Sequence, residues 1–445
     1  MLMFAQTPKF ISWKWQRETH STHSSIGISC SSSFSRCSFS SSPSQRPLRY
    51  AVLGAGFAGL SVAWNLLQHG CKESRICVDI YDEAGIGGGA SGIAGGLVHP
   101  YSPKVKLLWR GAECWNESLN LINIAEEALL NKLVNEGKFE TPKNGESPIV
   151  RRRGILRPVV NSKNVNIMTE NARNCLDNCR IEPINEEAAQ KLVPNLSLPL
   201  NLAFYMPDAL NINAQRYLQG LYLACENLAN EMSGNLSFHR KSVPSLKELA
   251  GEYEAVIICL GARSAFLPEL SGRLPLRACR GIIAKLQLGD EMREEYQEHS
   301  PSILSDAWLA VHGPRNIDLG STWDWKSENY SRDITSDEAS NSIETLIGKA
   351  SSVYPAVRNW TVTRAVAGLR AMPPLTENGS LPILGRLDEC IDLGHSCKYW
   401  LFTGLGARGL LFHGWLGKLL ARAVISCDED LLPCELTSWK HKMHR

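Results

Sequence analysis

The sequence lacks long hydrophobic runs, a charge imbalance and paired cysteine motifs. No run of about 18 apolar residues occurs in its 445 residues, so no membrane-spanning helix is predicted. Lys and Arg number 47 against 45 Asp and Glu, so no global basic field favours nucleic acid or an anionic membrane. The 14 cysteines include no CxxC pair, and Cys175 and Cys179, four residues apart, come nearest to one. No metal site is therefore predicted.

Acidic residues are almost absent from residues 1–46, which contain 14 Ser, five Lys or Arg and a single acid, Glu18. A segment of this composition cannot bury enough apolar surface to fold by itself. Its Ser-rich, basic and acid-poor character is typical of an organelle transit peptide, and the excess of Ser over Arg favours the chloroplast over the mitochondrion. We expect a disordered transit segment here, with a merely disordered tail as the alternative.

Regular structure is predicted to begin at Leu48 with a strand, a helix and a second strand. In GAGFAG, Gly54, Gly56 and Gly59 have the spacing of a dinucleotide-binding loop. Gly54 would permit the tight turn, Gly56 would let backbone N–H groups approach a pyrophosphate, and Gly59 would let helix and strand pack closely. Asp82 ends the second strand and is placed to accept hydrogen bonds from ribose hydroxyls. A role in the turn at the strand end is its less favoured alternative.

Further glycine-rich segments follow other predicted strands. GIGGGASGIAGG comes directly after the second strand, YEAVIICLG ends in Gly261, and KYWLFTGLGARG precedes a long helix. We expect the strands near residues 50, 255 and 400 to converge in one sheet. Several such loops favour FAD over a nicotinamide dinucleotide, because FAD stretches through the protein. Elsewhere, helices are predicted over about 105–137, 186–192, 213–232 and 337–354, and strands between 280 and 324.

Four segments, in order, resemble the FAD oxidoreductases related to D-amino-acid oxidase, the group that includes glycine oxidase and sarcosine oxidase. They are the Gly54 loop, YDEAGIGGGASGIAGG, TRAVAGLRAMPPLTENGSLPILGRL and FTGLGARGLLFHGWLGKLLA, and the resemblance covers Leu48 to Ile425. Residues 89–118 are also similar to the FAD domain of the bacterial bifunctional enzyme that makes 5-methylaminomethyl-2-thiouridine in tRNA. That enzyme's methyltransferase half has no counterpart in this sequence.

The resemblance implies an α/β fold in which a Rossmann-type FAD-binding domain is interleaved with an α+β substrate domain on a mostly antiparallel sheet. The FAD-binding domain would comprise residues 47–98, 205–275 and 365–430, and the substrate domain 99–204 and 276–364. The resemblance also implies non-covalent FAD, with contacts from the following residues: Gly54, Ala55, Gly56, Gly59, Asp82, Ala90, Ser91, Gly96, Leu97, Val243, Gly261, Gly406, Arg408 and Gly409.

Within that set, the implied positions differ along the cofactor. Ala90 and Ser91 would lie by the phosphates, and Val243 by the adenine. Gly96 and Leu97 would lie by the isoalloxazine ring. Arg408 and Gly409 would approach the pyrimidine end of the flavin, where a helix N-terminus stabilises the negative charge of the reduced ring.

Arg370 aligns with the family's arginine that binds the substrate carboxylate, and a guanidinium suits that task because it forms two parallel hydrogen bonds to the anion. A surface salt bridge is its alternative role. The implied reaction is oxidation of a C–N bond in an amino acid or N-substituted glycine, by hydride transfer to flavin N5, with O2 as acceptor. Alternatives are the same chemistry on a carboxymethylaminomethyl wobble uridine of tRNA, and a dehydrogenase that passes electrons to a carrier protein or quinone.

Other residues are weaker candidates. The three arginines at 151–153 could contact RNA phosphate, although a solvated face is the favoured interpretation. His99 and His312 could act as bases or as a covalent flavin link, but the implied reaction needs neither. Trp323 and Trp325 are candidate pocket residues, with core packing as the alternative.

Overall fold

A computed structural model describes residues 46–69, 75–137, 148–289, 296–297, 299–313, 315–388, 391 and 397–442. These residues belong to one unit, and the predicted transit segment lies outside them apart from Arg46. No helix in these ranges is long and apolar enough to cross a membrane. The helices are α1 (Phe57–Gln68), α2 (Gly111–Asn135), α3 (Val165–Ala172), α4 (Glu186–Leu192), α5 (Ala214–Glu231), α6 (Ser336–Ala350), α7 (Gly409–Ser426) and α8 (Cys434–Thr437).

The strands form two large sheets and two small ones. In chain order they are β1 (Leu48–Leu53), β2 (Ile76–Tyr81), β3 (Leu97–Val98), β4 (Val150–Arg151), β5 (Ile155–Pro158), β6 (Glu182–Ile184), β7 (Ala203–Met206), β8 (Leu210–Ile212), β9 (Asn235–His239), β10 (Ala255–Ile258), β11 (Arg277–Gln287), β12 (Ser302–Ile303), β13 (Trp308–Val311), β14 (Asn316–Gly320), β15 (Thr361–Met372), β16 (Leu375–Thr376), β17 (Gly379–Ser380), β18 (Ile383–Arg386) and β19 (Lys398–Thr403).

The first large sheet has six strands in the order β18-β19-β10-β1-β2-β9, and all are parallel except β18. The three strands predicted to converge are neighbours in it, with Tyr50 opposite Ala255 and Ala255 opposite Lys398. The central strands are buried on both faces, because α1, α5 and α7 pack on one side and a second apolar cluster covers the other. Their carboxyl ends therefore meet at one edge.

The second large sheet has eight strands in the order β15-β11-β14-β13-β12-β5-β7-β6, and only β12 and β5 pair in parallel. β11 and β15 pair over almost their full length, and α6 packs against this sheet. The mixed α/β fold and the mostly antiparallel second sheet agree with the sequence analysis. The predicted domain boundaries at 205 and 365 fall inside β7 and β15, which are continuous strands of this sheet.

The predicted helix over 105–137 begins later, at Gly111. Val105 and Arg110 have left-handed backbone conformations, with φ of 64° and 48°, and the chain turns there through a hydrogen bond from Leu108 N–H to the Pro100 carbonyl. Such residues interrupt a right-handed helix. Helix α3 was not predicted, because its eight residues are too few to give a clear period.

Candidate functional site

A cavity of about 770 Å³ lies where the two large sheets meet. On one side, the residues that follow β1, β2, β10 and β19 line it, which places it at the carboxyl ends of the parallel strands. On the other side it is lined by Gly281 and Ile283 of β11 and residues 368–371 of β15. The site is thus built from segments distant in sequence.

The Gly54 loop has the close geometry that its spacing predicts. Gly54 has φ of +106°, and a Cβ there would lie 2.5 Å from the Cys259 carbonyl oxygen. A Cβ on Gly59 would overlap the Gly54 oxygen, so helix α1 can pack against β1 only with glycine at this position. At the start of α1, Phe57 N–H donates to Ser91 Oγ over 3.2 Å. This places Ser91 at the positive end of a helix dipole, where phosphate binds readily.

Asp82 holds the loop together. Its Oδ2 accepts a hydrogen bond from Ala55 N–H at 2.9 Å, and its Oδ1 accepts from Ala84 and Gly85 N–H at 2.9 and 3.0 Å. The turn-forming role, the less favoured alternative, is therefore present in the fold. Because Oδ2 accepts only one of these bonds and keeps a second lone pair, and because Asp82 also lines the cavity, the predicted ribose contact is compatible with this role.

Most of the residues implied by the family resemblance line this one cavity. Ala55 and Gly59 do not line it: Ala55 is buried and Gly59 packs on Gly54. The individual cofactor contacts of the residues that do line it stay predictions. They are Gly54, Gly56, Asp82, Ala90, Ser91, Gly96, Leu97, Val243, Gly261, Arg370, Gly406, Arg408 and Gly409.

One part of the cavity carries two arginines without acidic partners among the described residues. Arg408 donates from Nη1 to the Tyr101 carbonyl at 3.0 Å, and burial lowers its pKa to about 10. Arg157 on β5, which the sequence analysis missed, donates to the Pro103 carbonyl at 2.7 Å, and burial together with Arg408 lowers its pKa to about 10. Burial and both arginines hold the pKa of His99 well below its usual range, so this side chain is neutral. The region favours an anion.

Arg370 lies on β15 opposite Cys279 of β11. Its Nη1 donates to the Thr322 carbonyl at 3.1 Å and its Nη2 to Ser321 Oγ, and its guanidinium lies 4.5 Å from the ring centroid of Trp323. No carboxylate of the described residues pairs with it, and burial lowers its pKa. The alternative role in a surface salt bridge therefore has no partner within the described residues.

The geometry around Arg370 leaves donors for a ligand. Nε–H and one Nη2–H have no partner within the described ranges, and two such donors match the two oxygens of a carboxylate. Gly281 makes room for the guanidinium, because a Cβ at this position would overlap it. A glycine in the interior of the strand RACRGIIAKLQ is the sequence signal that could have indicated this close approach.

The weaker candidates have different surroundings. His312 lies 3.2 Å from Asp318 Oδ2 and is absent from the described lining of the cavity. In the 151–153 cluster, Arg152 forms an ion pair with Glu126. Trp323 lines the cavity and Trp325 stacks on it, with ring centroids 6.0 Å apart. Cys179 serves the fold, since its carbonyl accepts the Tyr101 hydroxyl hydrogen bond.

Residues 49–423 match the family described as FAD dependent oxidoreductase, DAO. The chain therefore belongs to this family, and it is an FAD-dependent oxidoreductase. A Rhizobium etli relative named for thiamine biosynthesis, the oxidoreductase ThiO, is 25% identical over 350 residues, covering 75% of this chain and 88% of the relative.

Solved structures support the fold. The chain is similar to iminodiacetate oxidase from Chelativorans sp. BNC1, with a TM-score of 0.63, 19% identity, and coverage of 87% of this chain and 98% of that one. Glycine oxidase from Geobacillus kaustophilus gives a TM-score of 0.63 at 17% identity, covering 88% and 98%. The predicted family, the mixed α/β fold and FAD as the cofactor are confirmed.

The residues of the cavity fit FAD. Backbone without side chains at Gly54 and Gly56 opens the start of α1 to a pyrophosphate, while Arg408 and Arg157 supply positive charge near a second helix start, that of α7. The extended cavity joins these two regions, as a dinucleotide requires.

Proposed function

We propose that this oxidoreductase acts on a C–N bond of an amino acid or an N-substituted glycine, with O2 as the electron acceptor. The observation that carries the proposal is Arg370, a largely buried guanidinium with two free donors and no acidic partner among the described residues. A buried cation without a counterion is costly, so an anionic ligand group at this position is favoured. The names of two fold neighbours, glycine oxidase and iminodiacetate oxidase, mention substrates of this class.

FAD, which the backbone at Gly54 and Gly56 and the side chain of Arg408 would hold, would supply a hydride acceptor. Loss of a hydride from the carbon that bears the nitrogen would leave an imine for water to hydrolyse, and the two electrons would pass with two protons to O2 to give hydrogen peroxide. The chain's own contribution is to fix the substrate. Arg370 would hold the carboxylate by two parallel hydrogen bonds, which restricts rotation of the substrate and orients the carbon beside it. Trp323 packs on the guanidinium and limits its access to water.

The test is substrate binding to residues 47–445 loaded with FAD. We expect glycine, sarcosine or iminodiacetate to bleach the flavin anaerobically. Arg370→Ala should raise the concentration for half-maximal bleaching by about 100-fold, because two charge-assisted hydrogen bonds are lost. The concentration for half-maximal bleaching of Arg370→Lys should lie between those of the wild type and Arg370→Ala, since an ammonium keeps the charge without the paired donors. Arg364→Ala, which removes an exposed arginine from the same strand, is the matched control and should change nothing.

An unchanged affinity for a carboxylated substrate in a flavin-loaded Arg370→Ala protein would contradict the proposal. Glycinamide sharpens the test, because it lacks the carboxylate and its bleaching should depend little on Arg370. Mixing the reduced protein with air tests the acceptor. Reoxidation slower than turnover would point instead to a carrier protein or a quinone.

A further inference from the structure

Four exposed aromatic side chains form two ring pairs at the cavity. Phe266, Trp323, Trp325 and Tyr330, here called the aromatic rim, are 51%, 46%, 41% and 45% exposed. Phe266, Trp323 and Tyr330 line the cavity, and Trp325 stacks on Trp323. The other exposed large apolar side chains of the described ranges are all aliphatic and lie elsewhere. Exposed apolar groups concentrated at one place mark a binding surface.

The tryptophan half of the aromatic rim is fixed by arginines. Arg370 lies 4.5 Å from the ring centroid of Trp323, and Arg277 lies 4.8 Å from that of Trp325. The two arginines come from the adjacent strands β15 and β11, so the rings are stacked on a rigid sheet. The cation–π contacts hold both indoles without burying them.

The other half is fixed by one buried side chain. Tyr330 packs on Phe266 with ring centroids 5.2 Å apart. Arg280, only 1% exposed, donates to the Asn329 and Ser331 carbonyls on either side of Tyr330, and also pairs with Glu338. The aromatic rim is therefore pre-organised, and the exposure of its rings does not result from a loose loop.

Charges of both signs lie near the aromatic rim, with Asp324 between the two tryptophans, but the groups that stack on its rings or lack an acidic partner are arginines. Arg277 and Arg332 are exposed, Arg332 lines the cavity, and neither pairs with a carboxylate of the described residues. Arginine stacks readily on planar, electron-rich groups and binds anionic ones. Ring faces together with guanidinium groups favour a planar π-system over an aliphatic chain.

We propose that the aromatic rim binds a planar ring carried on the nitrogen of the substrate, so that the substrate is an N-substituted glycine with an aryl or heteroaryl substituent. This inference rests on the proposed function. A carboxylate held by Arg370 lies beside Trp323, so a nitrogen substituent larger than methyl reaches the aromatic rim on its way out of the cavity. The ring then gains stacking contacts that a methyl group cannot make.

The experiment compares N-benzylglycine with sarcosine as substrates of the FAD-loaded protein. We expect kcat/KM for N-benzylglycine to exceed that for sarcosine by about tenfold or more, as one aromatic stacking contact of about 1.4 kcal/mol predicts. In Tyr330→Ala and in Trp325→Ala, the ratio of the two kcat/KM values should fall by about tenfold. Leu375→Ala, which truncates an 80% exposed side chain absent from the lining of the cavity, is the control and should keep the wild-type ratio.

Turnover of sarcosine reports on the proposed function and the ratio reports on the aromatic rim, so the two can fail separately. Turnover of both amines with the same ratio in wild type and rim variants would overturn the inference. If neither these two amines nor glycine nor iminodiacetate is oxidised, the proposed function fails and the aromatic rim is tested alone. N-benzylglycine should then quench tryptophan fluorescence at concentrations where sarcosine does not, and equal quenching would overturn the inference.

Discussion

The two sides of the cavity are built in different ways. The side formed by the carboxyl ends of the parallel strands, here called the backbone side, is shaped by glycines at 54, 56 and 59, by helix starts, and by an aspartate that accepts hydrogen bonds from three backbone N–H groups. The side formed by the antiparallel sheet, here called the side-chain side, is shaped mainly by the side chains of Arg370, Trp323 and the buried Arg280. Backbone can hold a cofactor common to a family, whereas side chains can vary with the substrate.

The largest expected effect is on the backbone side. Gly59→Ala should prevent a folded, yellow protein from accumulating, because the new Cβ would overlap the Gly54 oxygen and force α1 away from β1. Flavin absorbance and thermal unfolding are the measurements. Gly348→Ala is the matched control: this glycine lies in α6, and a Cβ added to it would point into open space, so alanine should stabilise by about 0.5–1 kcal/mol. A yellow Gly59→Ala protein with wild-type Tm would show that the backbone side does not depend on a glycine at this position.

A smaller but still large effect is expected on the side-chain side. Arg280→Met should lower the free energy of unfolding by about 3–5 kcal/mol, because it breaks a buried ion pair and removes the arginine's hydrogen bonds to the Asn329, Ser331 and Asp333 carbonyls. It should also expose residues 325–335 to limited proteolysis while the flavin stays bound. Lys191→Ala, from an exposed pair with Glu187, should cost less than about 0.5 kcal/mol. Unchanged protease resistance would show that the loop does not depend on Arg280.

The smallest effect is a pH dependence on the backbone side. His413 in α7 donates from Nδ1 to the Gly409 carbonyl at 3.0 Å and accepts from the Tyr217 hydroxyl at 2.7 Å, and burial lowers its pKa to about 4. The unfolded chain takes up this proton near pH 6.5, so the free energy of unfolding should fall as the pH drops from about 6.5 to about 4. The expected loss is about 3 kcal/mol.

Urea unfolding of wild type and His413→Gln at pH 7, 6 and 5 measures this dependence. The variant starts from a lower free energy of unfolding because it loses packing. Its free energy of unfolding should fall less steeply as the pH is lowered, because unfolding of the variant takes up about one proton fewer. Equal slopes in the two proteins would mean that His413 does not carry the effect.

The same contrast explains what the sequence could predict. The β1-α1-β2 unit, the strands ending near Gly261 and Gly404, and Asp82 follow from local motifs, and the structure brings them together. Arg157, Arg280 and Gly281 escaped prediction, because their roles depend on which strand pairs with which. Arg370 was found only through the family's motif, since nothing local in its strand distinguishes it from Arg364.

The tie between β15 and the glycine loop before α7 limits how this cavity can change. Ala371, next to Arg370, accepts a hydrogen bond from Gly406 N–H at 2.9 Å, so the arginine and the loop keep a fixed spacing. Side chains on one face of a strand recur every second residue, about 7 Å apart. An arginine moved to position 372 would keep its face and shift by that one step, whereas at position 368 a Cβ alone would overlap the Ile93 side chain. Moving the arginine along its strand can therefore change the accommodated substrate length only in steps of about 7 Å. Smaller changes require substitutions in the aromatic rim.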